Sequence, residues 1–443
     1  MKRQLHLNLF IQGRGSHEAA WRHPLSSTAE LTDISYYQNL ARRAEAGLFD
    51  SIFFADQLTT NTAQTKSAKA LQVWLEPITM LAAIAVATTR IGLIATGSST
   101  YTEPFNLARQ FASIDHISQG RAGWNIVTSW MAAAARNFGD TGQLSHSERY
   151  ALAEEHVQIV KGLWDSWADD TIIDDRQNAV FANTDRIRPI DFKGEYFNVA
   201  GPLNLPRGPQ GHPVLVQAGS SEDGRGFAAR HAEAVFTAHI EKTTAQAFYS
   251  DMKKRVAAEG RRPDQVLILP GLCPTIASTE AEAKRLLLEL SNYADVEIAV
   301  KYLGTWFGGH DFSHLPLDRP LTVADFPDLS NIETSKSRTE MVINLIKREE
   351  ITLRELLARF AHIGGHYLFA GTAEQVADLI EDWFLDGAAD GFNLMPPLLP
   401  TMLDIFIDEV VPLLQRRGLF RTEYQGTTLR EHYGLERPAS VFV

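Results

Sequence analysis

Short apolar runs alternate along this chain with longer segments in which apolar residues recur every three or four positions. The short runs have the length and the β-branched and aromatic content of strands, and the longer segments predict amphipathic helices. Strands that alternate with helices are typical of a parallel α/β fold, and eight of them fit a (β/α)8 TIM barrel. The predicted strands are residues 5–11, 51–55, 91–96, 122–127, 213–217, 234–237, 266–269 and 391–394.

Two stretches interrupt this alternation. Residues 169–209 are rich in Asp, Asn, Pro and Gly and contain a hairpin-like segment around Gly194. The segment from about 302 to 365 begins with a loop rich in Gly and Pro. Long loops inside a compact domain are usually functional. We therefore expect a single domain, 1–443, in which both stretches are insertions that form a substrate lid. After Pro400 we expect a terminal helix and a surface tail.

Composition narrows the class of protein. The formal net charge of −12 argues against a nucleic-acid surface, which needs clustered Lys and Arg. There is no apolar run of about twenty residues, so no membrane span is expected. Cys273 is the single cysteine, which rules out an intrachain disulfide and fits the reducing cytoplasm, where we expect the protein to reside.

Several common motifs are missing from the sequence. It has no HExxH, no paired CxxC and no carboxylate-rich calcium loop, so no metal site is expected. It also has no Walker A loop and no GxGxxG fingerprint, which argues against nucleoside triphosphates and a Rossmann dinucleotide site. No GxSxG elbow indicates an α/β-hydrolase.

Candidate binding residues follow the predicted strands, because barrel enzymes place their sites at the carboxyl ends of strands. Asp56 follows the second strand and Thr96 ends the third; each could contact a ligand or serve the local turn. Ser145 and Glu148 form a capping-box pattern that places His146 in the first turn of a helix. Tyr150 lies four residues later on the same face. An anion site or an ordinary helix surface would both explain this pair.

A Gly-Ser-Ser turn follows the fifth predicted strand. Gly219, Ser220 and Ser221 lead into a helical segment and offer hydroxyl and N–H groups to a phosphate. The turn has no lysine, so it does not resemble a nucleotide-triphosphate loop. Turn chemistry by itself would also account for these residues.

Taken together, five segments resemble one family, in the same order and with the same spacing. The nitrilotriacetate monooxygenase component A branch of the bacterial luciferase-like superfamily carries similar motifs, and so do its dibenzothiophene-sulfone and long-chain alkane monooxygenases. The resemblance spans nearly the whole chain, and the combination is more specific than any one motif. The segments are FFAD at 53–56, GRAGWNIVTS at 120–129, SERY at 147–150, QAGSSEDGR at 217–225 and PLDRPL at 316–321.

This resemblance implies a luciferase-like barrel that uses reduced FMN as a dissociable cosubstrate. Reduced FMN and O2 would hydroxylate a small organic substrate or cleave its C–N, C–S or C–H bond. A separate NAD(P)H-dependent flavin reductase would supply the flavin, and the protein would form a homodimer or higher homo-oligomer. Carried over position by position, the flavin contacts are Asp56, Thr96, His146, Tyr150 and Ser221, with Ser220 as a neighbour.

Any acid or base residue is harder to assign from the sequence. His310 lies in the second insertion, where some relatives use a histidine, and His17 is a comparable candidate in the loop after the first strand. The flavin itself carries out the oxygen chemistry, so no protein nucleophile is required. Two other functions stay open: a deazaflavin-dependent oxidoreductase of the same superfamily, and a non-catalytic flavin-binding barrel.

Overall fold

The computed structural model describes residues 3–60, 73, 75–129, 131–139, 144–329, 332, 336–360 and 364–440. The part of the second insertion at 330–331, 333–335 and 361–363 therefore lies outside the described residues. The strands, numbered in chain order, are β1 His6–Phe10, β2 Ser51–Phe54, β3 Gly92–Ser98, β4 Ala122–Val127, β5 Ile172–Asp175, β6 Val180–Ala182, β7 Phe192–Lys193, β8 Asn198–Val199, β9 Val214–Gln217, β10 Ala234–Thr237, β11 Leu267–Ile276, β12 Tyr367–Gly371 and β13 Gly391–Leu394.

Eight of these strands close into a parallel barrel. The hydrogen-bonded order is β1-β2-β3-β4-β9-β10-β11-β13, and β13 pairs again with β1. The register is continuous around the closure, since His6 pairs with Gly391 and Asn8 pairs with Ser51. All eight predicted strands and the (β/α)8 TIM barrel are therefore confirmed. The sequence pattern missed β12, which extends the sheet by pairing with the upper half of β11.

Helices surround the barrel, and their first residues explain where several of them begin. Proline occupies the first turn of α2 and α3, and Asp33 caps α1 by accepting from the backbone N–H of Ser35. Within the described residues, no helix combines the length and the apolar character needed to cross a membrane. The helices are α1 Ile34–Ala46, α2 Pro77–Ala85, α3 Pro104–Ile117, α4 Ala132–Ala135, α5 His146–Trp164, α6 Glu222–His231, α7 Lys242–Ala258, α8 Glu280–Asn292, α9 Val296–Trp306, α10 Lys336–Arg348, α11 Leu353–Phe360, α12 Ala373–Leu385, α13 Thr401–Ile405, α14 Val411–Arg416 and α15 Leu429–His432, with a π-helical turn at Phe406–Val410 between α13 and α14.

The barrel interior is filled by side chains rather than solvent. Near the carboxyl ends of the strands, the rings of Phe10, Phe53 and Phe236 contact one another, with centroids 5.3 to 5.7 Å apart. We call these three rings the aromatic floor, because they close the interior beneath the mouth of the barrel. Edge-to-face and tilted ring pairs of this kind pack densely and exclude water.

The opposite, amino-terminal end of the barrel is closed by the C-terminal segment. Leu429 of α15 is buried against Gly92 and Gly123, and a Cβ on Gly92 would collide with one of its methyl groups. The hydroxyl of the buried Tyr433 donates to Asn8 Oδ1 at 2.9 Å inside the barrel. The predicted terminal helix is present, but the predicted surface tail is wrong, because apolar residues in the tail bury more surface as a barrel plug.

The first insertion lies on the flank of the barrel and not over its mouth. It starts after α5 and ends before β9, so both of its ends lie at the amino-terminal face. There the side-chain amide of Gln210 donates to the carbonyl of Ala122, the first residue of β4, at 2.9 Å. Its β7–β8 hairpin packs along α5, where Glu155 accepts from the backbone N–H groups of residues 195–197. The predicted lid is therefore wrong for this insertion.

The second insertion leaves the barrel on the mouth side. It belongs to the long connection that leaves the carboxyl end of β11 and passes through α8 and α9, and it has a hydrophobic core of its own that includes Trp306, Phe307, Phe312 and Phe326. Ile240, three residues beyond the end of β10, packs against that core. For this insertion the lid stays a prediction, because the insertion packs next to the carboxyl end of β10.

Candidate active site

Four neighbouring strands bring the predicted site residues to one side of the mouth. In the barrel β2, β3, β4 and β9 stand next to one another, so their carboxyl ends form a continuous arc. Asp56 follows β2, Thr96 lies in β3, and Ser220 and Ser221 follow β9. The loop after β4 leads to α5, which starts with His146. We call this set of strand ends the polar arc.

Thr96 is buried and holds two strands of the polar arc together. Its hydroxyl donates to the carbonyl of Phe54 at 3.0 Å and accepts from the side-chain amide of Asn125 at 2.8 Å. Asn125 is also buried, and its Oδ1 has no hydrogen-bond partner among the described residues. A buried carbonyl oxygen without a donor costs free energy. Asn125 thus offers an acceptor to a ligand at the end of β4.

Asp56 is half-buried two residues beyond β2. One carboxylate oxygen accepts from the backbone N–H of Gln57 at 2.8 Å, which is the local turn contact considered above. Burial raises the pKa of the Asp56 carboxyl above its usual range, and the nearby charge of Glu76 adds to this, although the Gln57 N–H opposes it. The turn contact uses one oxygen, which leaves lone pairs on the carboxylate for a ligand N–H or hydroxyl.

The N-termini of α5 and α6 meet at the other end of the polar arc. Ser145 and Glu148 form the predicted capping box, which fixes the first turn of α5. His146 Nε2 lies 3.3 Å from the hydroxyl of Ser221, the residue that caps α6. His146 Nδ1 lies 2.8 Å from the carboxylate of Asp223, so that Asp223 orients the ring. Two helix N-termini with an imidazole and a hydroxyl between them attract an anion.

Tyr150 lies beneath this pair and shapes the turn after β9. Its ring centroid is 5.1 Å from that of His146. A Cβ at Gly219 or Gly224 would lie 2.6 or 2.8 Å from the phenol oxygen, so only glycine fits at either position. Burial raises the pKa of Tyr150, which keeps the phenol protonated as a hydrogen-bond donor at neutral pH. Nearby, the buried Oε1 of Gln217 has no hydrogen-bond partner among the described residues.

The six predicted binding residues thus all belong to the polar arc, although their contacts differ. His146, Tyr150 and Ser221 contact one another or share a turn, and Thr96 is joined to the strand that precedes Asp56. Ser220 is half-buried in the turn before the cap of α6. Asp223 was not predicted from the sequence, and its contact with His146 joins residues 77 positions apart. The only sequence feature that could have indicated a role for Asp223 is its position in the first turn of a predicted helix.

The two candidate histidines lie elsewhere. His17 is buried in the loop after β1, where its Nδ1 accepts from the backbone N–H of Ala19 at 3.1 Å. His310 is half-buried in the second insertion, with its ring centroid 4.6 Å from that of Phe312. Both belong to segments outside the polar arc, so a catalytic role for either stays a prediction. Within the described ranges, no group of three or more His, Cys, Asp or Glu side chains could hold a metal ion.

The chain is similar to one known family and to several known proteins. Residues 14–390 match the family described as luciferase-like monooxygenase. N-acetyl-S-(2-succino)cysteine monooxygenase of Bacillus subtilis (strain 168) is 46% identical, over 99% of this chain and 98% of that protein. Nitrilotriacetate monooxygenase component A of Aminobacter aminovorans is 44% identical, over 98% and 97%. The crystal structure of a riboflavin lyase with modified FMN and substrate riboflavin superimposes with a TM-score of 0.87 at 32% identity, over 98% and 97%.

Proposed function

Because this chain belongs to the luciferase-like monooxygenase family, as its motifs predicted, we propose that it is the oxygenase component of a two-component, FMN-dependent monooxygenase. Reduced FMN and O2 would be its cosubstrates, and a small organic molecule would be oxygenated at a C–N, C–S or C–H bond. The observation that carries the proposal is the contact of His146 with Ser221 at the meeting point of two helix N-termini.

In this proposal the meeting point of α5 and α6 receives the phosphate of FMN. His146, Tyr150 and Ser221 supply an imidazole, a phenol and a hydroxyl, and the turn at Ser220 adds backbone N–H groups. Charge-assisted hydrogen bonds to phosphate are stronger than neutral ones, and helix N-termini add their positive ends. Asp223 holds the His146 ring in place through Nδ1, so that Nε2 faces Ser221 and the phosphate.

The ring system would lie over the mouth between Asp56 and Thr96. The residues here suit a flat ligand with polar edges: buried acceptors at Asn125 and Gln217, a half-buried carboxylate at Asp56, and glycines at the turn. When bound, reduced FMN supplies the electrons and reacts with O2. The protein binds and orients it, and the aromatic floor together with the second insertion excludes water from the mouth.

In this proposal a separate partner reduces the flavin, since the sequence has no GxGxxG fingerprint of a dinucleotide site. One relative is a nitrilotriacetate monooxygenase component A, and a component A is one part of a multi-component enzyme. We propose an NAD(P)H-dependent FMN reductase as the partner, which passes reduced FMN to this chain by diffusion or in a transient complex. The riboflavin lyase that this chain resembles was crystallised with a modified FMN, which supports the choice of flavin.

Flavin binding is tested by titrating FMN against the protein and following the quenching of its fluorescence. We expect His146→Ala and Ser221→Ala each to weaken binding about 10- to 100-fold, the value of one lost hydrogen bond to a charged group. Ser147→Ala is the matched control, because Ser147 is exposed in the same helical turn. Equal affinities in all four proteins would contradict the phosphate site.

Activity is tested by oxygen uptake with a separately purified NADH:FMN reductase. The substrate panel holds nitrilotriacetate, N-acetyl-S-(2-succino)cysteine and the uncharged dibenzothiophene sulfone. We expect one class of compound to be consumed in step with O2. Tighter binding of a deazaflavin than of FMN would indicate a deazaflavin oxidoreductase instead. FMN binding with no coupled oxygen uptake on any compound would indicate a non-catalytic flavin-binding barrel.

A further inference from the structure

The wall of the mouth that faces the polar arc is built by β10, β11 and the second insertion. His366, which precedes β12, stacks on Phe236 of the aromatic floor, with ring centroids 4.9 Å apart and planes 14° apart. Its Nδ1 packs against Gly271 of β11, where any Cβ would collide with the ring. Phe236 in turn contacts Phe53, three residues before Asp56. His366 therefore stands on the same floor as the polar arc, on its other side.

Arg338 of α10 lies beside His366. A Cβ built on Gly364 would be 3.5 Å from the Arg338 guanidinium and 4.0 Å from His366 Cδ2, so the two side chains border one small space. Arg338 is half-buried, and its guanidinium lies 5.3 Å from the centroid of the Trp306 ring. Trp306 belongs to the core of the second insertion, so the position of this guanidinium is set by packing.

Arg338 differs from the other arginines of the second insertion in its partners. Each of the others is paired with a carboxylate: Arg319 with Asp325, Arg348 with Glu241, Arg354 with Asp318, and Arg359 with Glu349. Among the described residues, Arg338 has the Trp306 ring as its partner and no ion pair. A half-buried guanidinium has lost part of its hydration, so an anion placed against it would restore lost interaction energy.

The imidazole beside Arg338 does not compete for that anion. Burial lowers the pKa of His366 to about 3, and the nearby positive charge of Arg338 lowers it further. His239 is itself buried and neutral at pH 7, between the hydroxyls of Thr237 and Thr244. The positive potential of Arg338 is therefore felt within the wall, and no carboxylate among the described residues is paired with it.

We propose that Arg338, with the edge of His366 beside it, forms a subsite that binds a carboxylate group of the organic substrate. This rests on the proposed monooxygenase function and names a recognition residue for its substrate. The guanidinium fork matches the two oxygens of a carboxylate, and Trp306 holds it at the mouth, across the floor from the polar arc. An uncharged substrate would leave the cation without a partner, so the subsite selects organic acids.

The test uses tricarballylate as the probe, because it carries three carboxylates and no oxidisable heteroatom. Its binding is measured by isothermal titration calorimetry on the whole protein, both without FMN and with saturating FMN. We expect wild-type protein to bind tricarballylate and not its uncharged trimethyl ester. Arg338→Gln should weaken binding at least about tenfold, the cost of one charged hydrogen-bonding partner. Arg338→Lys, which keeps the charge and loses the fork, should fall between the two.

Arg354→Gln is the matched control, since Arg354 is an exposed arginine of the same insertion that is paired with Asp318. It should bind tricarballylate as tightly as wild type. FMN affinity is measured on every variant and should stay within about twofold, which separates this proposal from the flavin site. Failure of FMN binding in wild type would contradict the monooxygenase proposal. The titration of tricarballylate without FMN would still decide whether Arg338 binds a carboxylate. Equal tricarballylate affinity in Arg338→Gln and wild type, or no binding in either flavin condition, would overturn the subsite.

Discussion

The two insertions leave the barrel at opposite ends. The first joins the end of α5 to the start of β9, so it begins and ends at the amino-terminal face. The second lies in the long connection that leaves the carboxyl end of β11 and passes through α8 and α9, on the side where barrel enzymes bind ligands. The end of the barrel from which the connection departs therefore decides which insertion can reach the site.

Their packing differs in the same way. The second insertion has its own apolar core, and it holds Arg338 and His366 near the aromatic floor. The first consists mostly of exposed residues in two short hairpins, and it leans on α5 through Glu155. A segment that positions a binding group needs a rigid core beneath it, whereas a segment on the flank needs only to cover its helix.

The largest effect is expected from Phe312→Ala in the second insertion. Phe312 is 0% exposed at the centre of that core, so truncation should destabilise the insertion by about 3–5 kcal/mol. Hydrogen exchange should show faster exchange in α9 and α11, and substrate-stimulated oxygen uptake should fall. FMN affinity should hold, because the polar arc belongs to other elements. Unchanged oxygen uptake in a protein with a loosened insertion would show that the second insertion is no more functional than the first.

Acid should act next, through two buried neutral imidazoles at the mouth. Burial lowers the pKa of His239 to about 4 and that of His366 to about 3. Each imidazole is neutral when folded and protonated when unfolded between its folded pKa and about 6.5, so stability is lost as the pH falls through this window. The loss is at most about 1.4 kcal/mol per pH unit for each group.

Thermal unfolding near pH 7 and about pH 5 measures this dependence. His366→Gln removes one of the titrating groups, so its unfolding temperature should fall less than that of wild type over the same change. A variant with the same pH dependence as wild type would mean that His366 is not the buried neutral group described here.

Gly194→Ala tests the first insertion. A Cβ at this position would collide with the Glu155 carboxylate, which accepts three backbone N–H groups of the β7–β8 hairpin. We expect a local loss of about 1–3 kcal/mol, seen as faster hydrogen exchange in residues 192–199. FMN affinity and oxygen uptake should stay within about twofold of wild type. A large loss of uptake would place this hairpin in the catalytic cycle and remove the contrast between the insertions.

The smallest effect is expected from Phe181→Ser, the counterpart of Phe312→Ala in the first insertion. Phe181 is 67% exposed in β6, so its replacement should change the free energy of unfolding by less than about 0.5 kcal/mol. Chemical denaturation and FMN titration measure both properties. A drop in stability comparable to that of Phe312→Ala would show that another surface covers Phe181 in solution, which size-exclusion chromatography with light scattering would detect as the expected homo-oligomer.

Much of the fold was predictable because its signals are local. Strand and helix periodicity identified all eight barrel strands, and the Ser145 capping box marked the start of α5. The short strand β12 was missed, since its five residues are mostly half-buried and pair with β11 beyond the closed barrel. The polar arc was predicted from strand ends and from the family motifs, yet the His146–Asp223 contact, across 77 positions, was not.

The sequence by itself determined the barrel, its family and the residues that follow each strand, because hydrophobic periodicity and short motifs are written within a few neighbouring positions. Only the tertiary structure decided that the first insertion lies on the flank, that the tail fills the barrel, and that Arg338 has no carboxylate among its described neighbours. These properties depend on which distant segments share a surface. Burial and ion pairing between such segments are set by packing across the whole chain, and no local pattern encodes them.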